Sequence, residues 1–139
     1  MTTISTSDAR PKVLHITLWI AQVILAGMFI MGGFMKTFTP IAELSVTMPW
    51  AKDIPALTRF IGISELLGGL GLVLPAALRI APRLTVLAAY GLALIMVLAL
   101  LFHISRGEAS GISTNIVLGL LSVFIAWGRS TRAPIYPRV

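Results

Sequence analysis

The chain has 139 residues, 57% hydrophobic and only 12% charged, with a mean hydropathy of +0.94; a soluble domain has ~45–50% apolar and ~25% charged residues, so this composition reads as a membrane protein. The net charge of +6 does not point to nucleic acid, because the eleven basic residues are strung out at segment ends and form no cluster that would make a groove-facing stripe. The absence of cysteine leaves His15 and His103 as the only histidines and excludes disulfides, thiol redox chemistry, iron–sulfur ligation and covalent haem attachment.

Met1 to Lys12 is polar without apolar periodicity and reads as a short disordered tail. Val13 to Met35 gives 23 residues interrupted only by His15, Thr17 and Gln22, more than the ~20 that cross a hydrocarbon core. This first predicted span is also longer than the ~7–15 residues of a signal-peptide core and has no small-x-small site after it, so it reads as retained. In the connection from Lys36 to Pro55, Ile41, Leu44 and Met48 fall at helical spacing behind Thr39-Pro40, read as a capping residue and a first-position proline. Glu43 lies in that first turn, where the helix dipole favours it. A short interfacial helix fits, with Trp50 at headgroup depth.

Asp53 and Pro55 lead into the second span, Leu57 to Leu78, which contains Gly62, Gly68, Gly69 and Gly71; in lipid such small residues let helices approach closely. Arg79 to Arg83 is a tight turn, Leu84 to His103 the third span, Ser105 to Ser110 a polar turn with Arg106 and Glu108, and Ile112 to Trp127 the fourth span. The expected fold is all-α: one four-helix transmembrane bundle over residues 13–129, followed by a tail over 130–139. Arg10, Lys12, Arg79, Arg83, Arg129, Arg132 and Arg138 fall on one side of the membrane, seven basic residues against Lys36, Lys52, Arg59 and Arg106 on the other. The positive-inside rule puts both termini in the cytoplasm of a bacterial-type inner membrane, and anionic lipid headgroups are the one partner this basicity requires.

Glu65 is the residue that needs an explanation. It stands eight residues after Leu57, ~12 Å into a ~30 Å core, where a charge costs at least ~3 kcal/mol and therefore marks a pair, a pathway or a ligand. Lys36 ends span one, His103 ends span three, and Asn115 lies three residues into span four, all in the outer half. Because Cβ bonds tilt toward each helix's N-terminus, Lys36 and His103 lean into the membrane while Glu65 and Asn115 lean up toward them. Helical stepping back from Lys36 through Gly32, Phe29 and Leu25 reaches Gln22, which adds that amide to the same stripe; Arg59 and Trp50 complete the set. Each residue also has a purely structural reading: Lys36 snorkelling, Glu65 clamped to Lys36, Arg59 or His103, His103 compensating a helix dipole, and Asn115 joining helices.

The run from Arg59 to Pro75, RFIGISELLGGLGLVLP, resembles the second helix of the DoxX and DoxX-like membrane proteins. Gly33-Phe34-Met35-Lys36 is similar to the end of that family's first helix, Leu87 to Met96 with His103 to its third, and Asn115 to Arg129 to its fourth, so the likeness runs from Trp19 to Arg129. The resemblance implies a small four-helix membrane protein. The family's name comes from a membrane subunit of a thiosulfate:quinone oxidoreductase, and other relatives are linked to quinone or oxidative-stress handling or to assembly of membrane complexes. With no cysteine, and with His15 and His103 at opposite faces, no intrinsic haem or redox-metal site is expected. A redox role then requires a diffusible cofactor such as a quinone, held by His103 and Asn115 with Glu65 handling its proton. The other readings are a structural or assembly subunit that docks a redox partner or a second copy through its glycine faces, and an oligomeric proton or small-molecule permeation device.

Overall fold

The computed structural model describes residues 11–139; the predicted disordered tail, apart from Pro11 and Lys12, lies outside the described residues. Five α-helices follow one another: α1 (Lys12–Phe38), α2 (Ile41–Thr47), α3 (Pro55–Leu78), α4 (Arg83–Ser105) and α5 (Ile112–Trp127), with no strand among the described residues. Lys12 opens α1 and is not part of a tail.

Local chemistry sets the boundaries. Thr39, which precedes Pro40, is extended (φ −71°, ψ 136°), as the proline ring requires of its neighbour, and its N–H still bonds Met35 O at 3.0 Å. Thr39 therefore closes α1 rather than capping α2, and Pro40 takes the cap position of α2 with no side-chain cap. The turn from α3 to α4 contains no glycine, yet Arg79 (φ 56°) and Ala81 (φ 47°) are left-handed, a conformation that costs an L-residue ~1–2 kcal/mol. The C-terminal segment offsets this: Arg138 N–H donates to Arg79 O at 3.0 Å, and Arg79 Nε donates to Tyr136 O at 2.8 Å. Residues 130–139 are thus strapped to the bundle, and Ala133 is fully buried. After α5 the chain continues in a wider helical turn, Gly128–Arg132.

The core is apolar and shared by all four long helices through Leu25 and Phe29, Leu72, Leu92 and Met96, and Ile125. α1 and α3 touch backbone to backbone: a Cβ placed on Gly33 would lie 2.6 Å from Gly62 O and 2.6 Å from Leu66 N, so this contact requires glycine. Outside the core, Ile20, Val23, Leu67, Leu94, Leu101 and Leu120 are each more than half exposed, a coat that water would not tolerate over such an area. Four helical segments are long and apolar enough to cross a bilayer, and together these features make the chain a multi-pass membrane protein.

Candidate ligand-binding site

At the end of the bundle where α1 and α4 finish, a cavity of about 330 Å³ opens between the long helices and the short turn Pro49–Lys52. Lys36, Glu65, His103, Asn115 and Trp50 all line it. The fold thus brings Lys36, Glu65, His103 and Asn115 to one cavity, with Trp50 beside them.

Lys36 Nζ donates to Glu65 Oε2 at 2.6 Å, with side-chain exposures of 13% and 4%. Of the three partners open to Glu65 on sequence grounds, Lys36 is the one it takes. Arg59 Nη1 donates to Lys36 O at 2.8 Å, which satisfies a carbonyl in the last turn of α1 that has no partner within its own helix. His103 Nδ1 lies 2.9 Å from Glu108 Oε2; Glu108 Oε1 accepts from Arg106 Nε at 2.7 Å, and Arg106 Nη2 reaches Asp53 Oδ2 at 3.3 Å. In the neutral ring a donated Nδ1–H leaves Nε2 as an acceptor. The imidazole edge rests on Gly111, where a Cβ would sit 2.8 Å from Nε2. Trp50 stands edge-on to Phe102 at 5.8 Å and to His103 at 6.2 Å. Asn115 differs from the others: its Nδ2 is buried and has no hydrogen-bond partner among the described residues.

Outside the membrane-spanning segments, the hydrogen bond from Arg106, and then that from His103, hold the Glu108 carboxyl below the usual carboxylate range; the same bond to Glu108 raises the Arg106 guanidinium. A carboxyl whose folded pKa is lowered stabilises the fold above its unfolded value, and that contribution disappears as pH falls through the folded value. In a variant that keeps Trp50 as its single tryptophan, emission is accordingly expected to stay constant from neutral pH down to ~4.3 and to shift only below it. A transition at pH 6 to 7 would show that Glu108 does not control this corner.

Gln22 does not join the cavity. Stepping by 14 residues on a 3.6-residue helix returns to nearly the same face but ~21 Å along the axis, so Gln22 shares the Lys36 stripe and lies at another height. Gln22 is fully buried; its Nε2 donates to Leu72 O at 2.6 Å, one turn before Pro75, and its Oε1 accepts from Arg129 Nε at 2.6 Å. Arg129 is only 3% exposed, with Nη1 2.9 Å from His15 Nδ1 and 3.0 Å from Ala133 O. It is a buried fork joining α1 to the end of α5, not the solvated terminal charge that a count by side makes of it. The signal in the sequence was Gln22 itself, a mid-span amide in need of a partner.

The DoxX-like family model matches residues 20–125, which cover α3, α4 and all but the ends of α1 and α5. No curated protein and no solved structure gives a match. Four membrane-crossing helices in the order seen here, over a family match that spans most of the chain, place this protein in the DoxX-like family.

Proposed function

We propose that the chain is an inner-membrane protein with both termini cytoplasmic, whose cavity faces the outer leaflet and binds a lipophilic ligand with a hydrogen-bond-accepting carbonyl head, a quinone being the best match, as part of a membrane redox system. The observation that carries this reading is Asn115 Nδ2, a buried donor beside an apolar cavity with no acceptor among the described residues. Leaving such a group unpaired costs ~1–3 kcal/mol, and a ligand carbonyl would relieve it. The remaining lining fits the same ligand: Phe60, Ile61, Ile95 and Leu98 suit a ring and an isoprenoid tail, and ligand sites are mostly apolar with a few placed polar groups. A bound quinone supplies two-electron, two-proton chemistry. Glu65 Oε2 and Lys36 Nζ, already sharing a proton donor and acceptor at 2.6 Å, would hold a proton at that wall of the site. The orientation rests on the excess of basic residues at the end of the bundle where α1 starts and α5 finishes.

The glycine-rich face of α3 weighs against the assembly reading. Gly33, Gly62 and Gly69 are consumed in the contact between α1 and α3, and Gly71 packs on Ala88, so that face is not free to receive a partner's helix; Gly27 and Gly91 alone among the helical glycines face open space. The test is a titration of the detergent-purified protein with a short-chain benzoquinone, followed by quenching of Trp50. Saturable quenching is expected, with the dissociation constant raised about tenfold in Asn115→Leu, the loss of one buried hydrogen bond. Equal binding by Asn115→Leu and the unmodified protein would refute the site.

A further inference from the structure

At the opposite end of the bundle lies a second, larger recess of about 730 Å³, formed by the start of α4, the helical turn after α5 and the segment from Pro134 to Pro137. Thr85 lines it and is 1% exposed, yet its Oγ1 is buried without a hydrogen-bond partner among the described residues. A buried hydroxyl in a membrane protein ordinarily bonds a backbone carbonyl one turn earlier, as Thr58 does to Ile54 O at 2.9 Å. Thr85 sits in the first turn of a 23-residue helix that has no side-chain cap and no acidic residue in that turn, so the positive end of the α4 dipole faces the recess uncompensated from its own helix. Arg83, two residues earlier, is exposed, lines the recess, and makes no hydrogen bond or ion pair to a described residue. These features together ask for an anion with acceptor oxygens.

The surroundings say what carries that anion. Leu87, also in the lining, is 64% exposed, and Leu84 and Ile80 beside it are 50% and 67% exposed; a stripe of this kind next to a cationic recess at the end of membrane-crossing helices matches a headgroup continued by acyl chains. We propose that this recess binds the phosphate of an anionic phospholipid, with the Thr85 hydroxyl and the Arg83 guanidinium donating to its oxygens and the chains running along Leu84 and Leu87. Arg129, already engaged with Gln22 and Ala133 O, forms the charged back wall. This site is separate from the Asn115 cavity and stands whether or not a quinone binds there.

Native mass spectrometry on the full chain in detergent, titrated with phosphatidylglycerol, phosphatidylcholine or inorganic phosphate, tests it. The protein is expected to take up one phosphatidylglycerol at least ~tenfold more tightly than phosphatidylcholine, the effect of one or two charge-assisted hydrogen bonds. Thr85→Val and Arg83→Gln should each remove most of that preference, and Lys52→Gln at the other end of the bundle should leave it intact. Arg83 is exposed, so its variant keeps the test open if Thr85→Val fails to fold. Equal affinity for the two lipids, or an unchanged preference in Arg83→Gln, would overturn the proposal. If inorganic phosphate alone displaces the lipid at comparable concentration, the recess is a site for soluble phosphate esters and the lipid assignment falls.

Discussion

Lys36→Met should lower the stability of the solubilised protein by ~3–5 kcal/mol, the cost of leaving a buried charge without its partner, and adding Glu65→Gln should restore most of the loss. The pair is 2.6 Å apart and the Glu65 side chain is only 4% exposed, so the carboxylate has no water to fall back on when Lys36 is removed. Glu65→Gln alone is expected to be much milder, because the amide oxygen still accepts from Lys36, whose position near the end of α1 lets its ammonium reach the interface. Thermal unfolding of the two single variants and the double variant in one detergent separates these outcomes. The same proteins then divide a clamp from a working group. If Glu65 only neutralises Lys36, the stable double variant binds quinone as the unmodified protein does; if Glu65 takes part in ligand binding, the double variant folds but its dissociation constant rises. We expect the rise, and unchanged binding would remove Glu65 from the site.

Arg129→Lys is expected to be nearly as damaging as Arg129→Met, with each losing ~2–4 kcal/mol from the two or more buried acceptors left without donors. Arg129 reaches Gln22 Oε1 through Nε and both Ala133 O and the His15 ring through Nη1, a planar fork that an ammonium on a flexible stem cannot reproduce. A residue that served only to bias the membrane orientation would tolerate lysine without loss. A melting temperature of Arg129→Lys equal to that of the unmodified protein would therefore mean that the fork contributes nothing and that Arg129 matters for charge alone. Gln22→Leu in the Arg129→Met background should recover part of the stability, since it removes the stranded amide together with its donor.

The contrast between these two clusters shows what a single sequence discloses in a membrane protein. Span lengths, depth from the nearest boundary and the tilt of Cβ bonds bring Lys36, Glu65, His103 and Asn115 to one level, because each quantity depends on one helix at a time and the bilayer supplies the common origin. Trp50 follows from the short helix before it. The partners of these residues are another matter: Glu108, five positions after His103, takes that ring by a turn geometry that spacing leaves open, and Arg129 meets Gln22 across 107 positions through the packing of α1 on the end of α5. Gln22 shares the stripe of Lys36 but not its level, because angular periodicity repeats along a helix while height does not. The left-handed Arg79 and Ala81 are not legible in the sequence either, since a turn without glycine or asparagine gives no local sign of positive φ and depends on the C-terminal strap for its support.

The ion pair between Lys36 and Glu65 also governs how the chain enters lipid. Hydropathy sums assess each span alone and charge α3 for a solitary carboxylate near mid-membrane, ~2.5–3.5 kcal/mol on insertion scales. That penalty belongs to a species the finished protein never contains, because the lysine that cancels it stands on the preceding span, and the backbones of the two spans already touch at Gly33 and Gly62. A translocon that released α3 into the bilayer by itself would have to supply this energy; one that held α1 until α3 arrived would not. In thermodynamic terms α1 and α3 are a single hairpin of insertion, and the polar residue that looks like the weakest point of the second span is neutralised by the first one beside it.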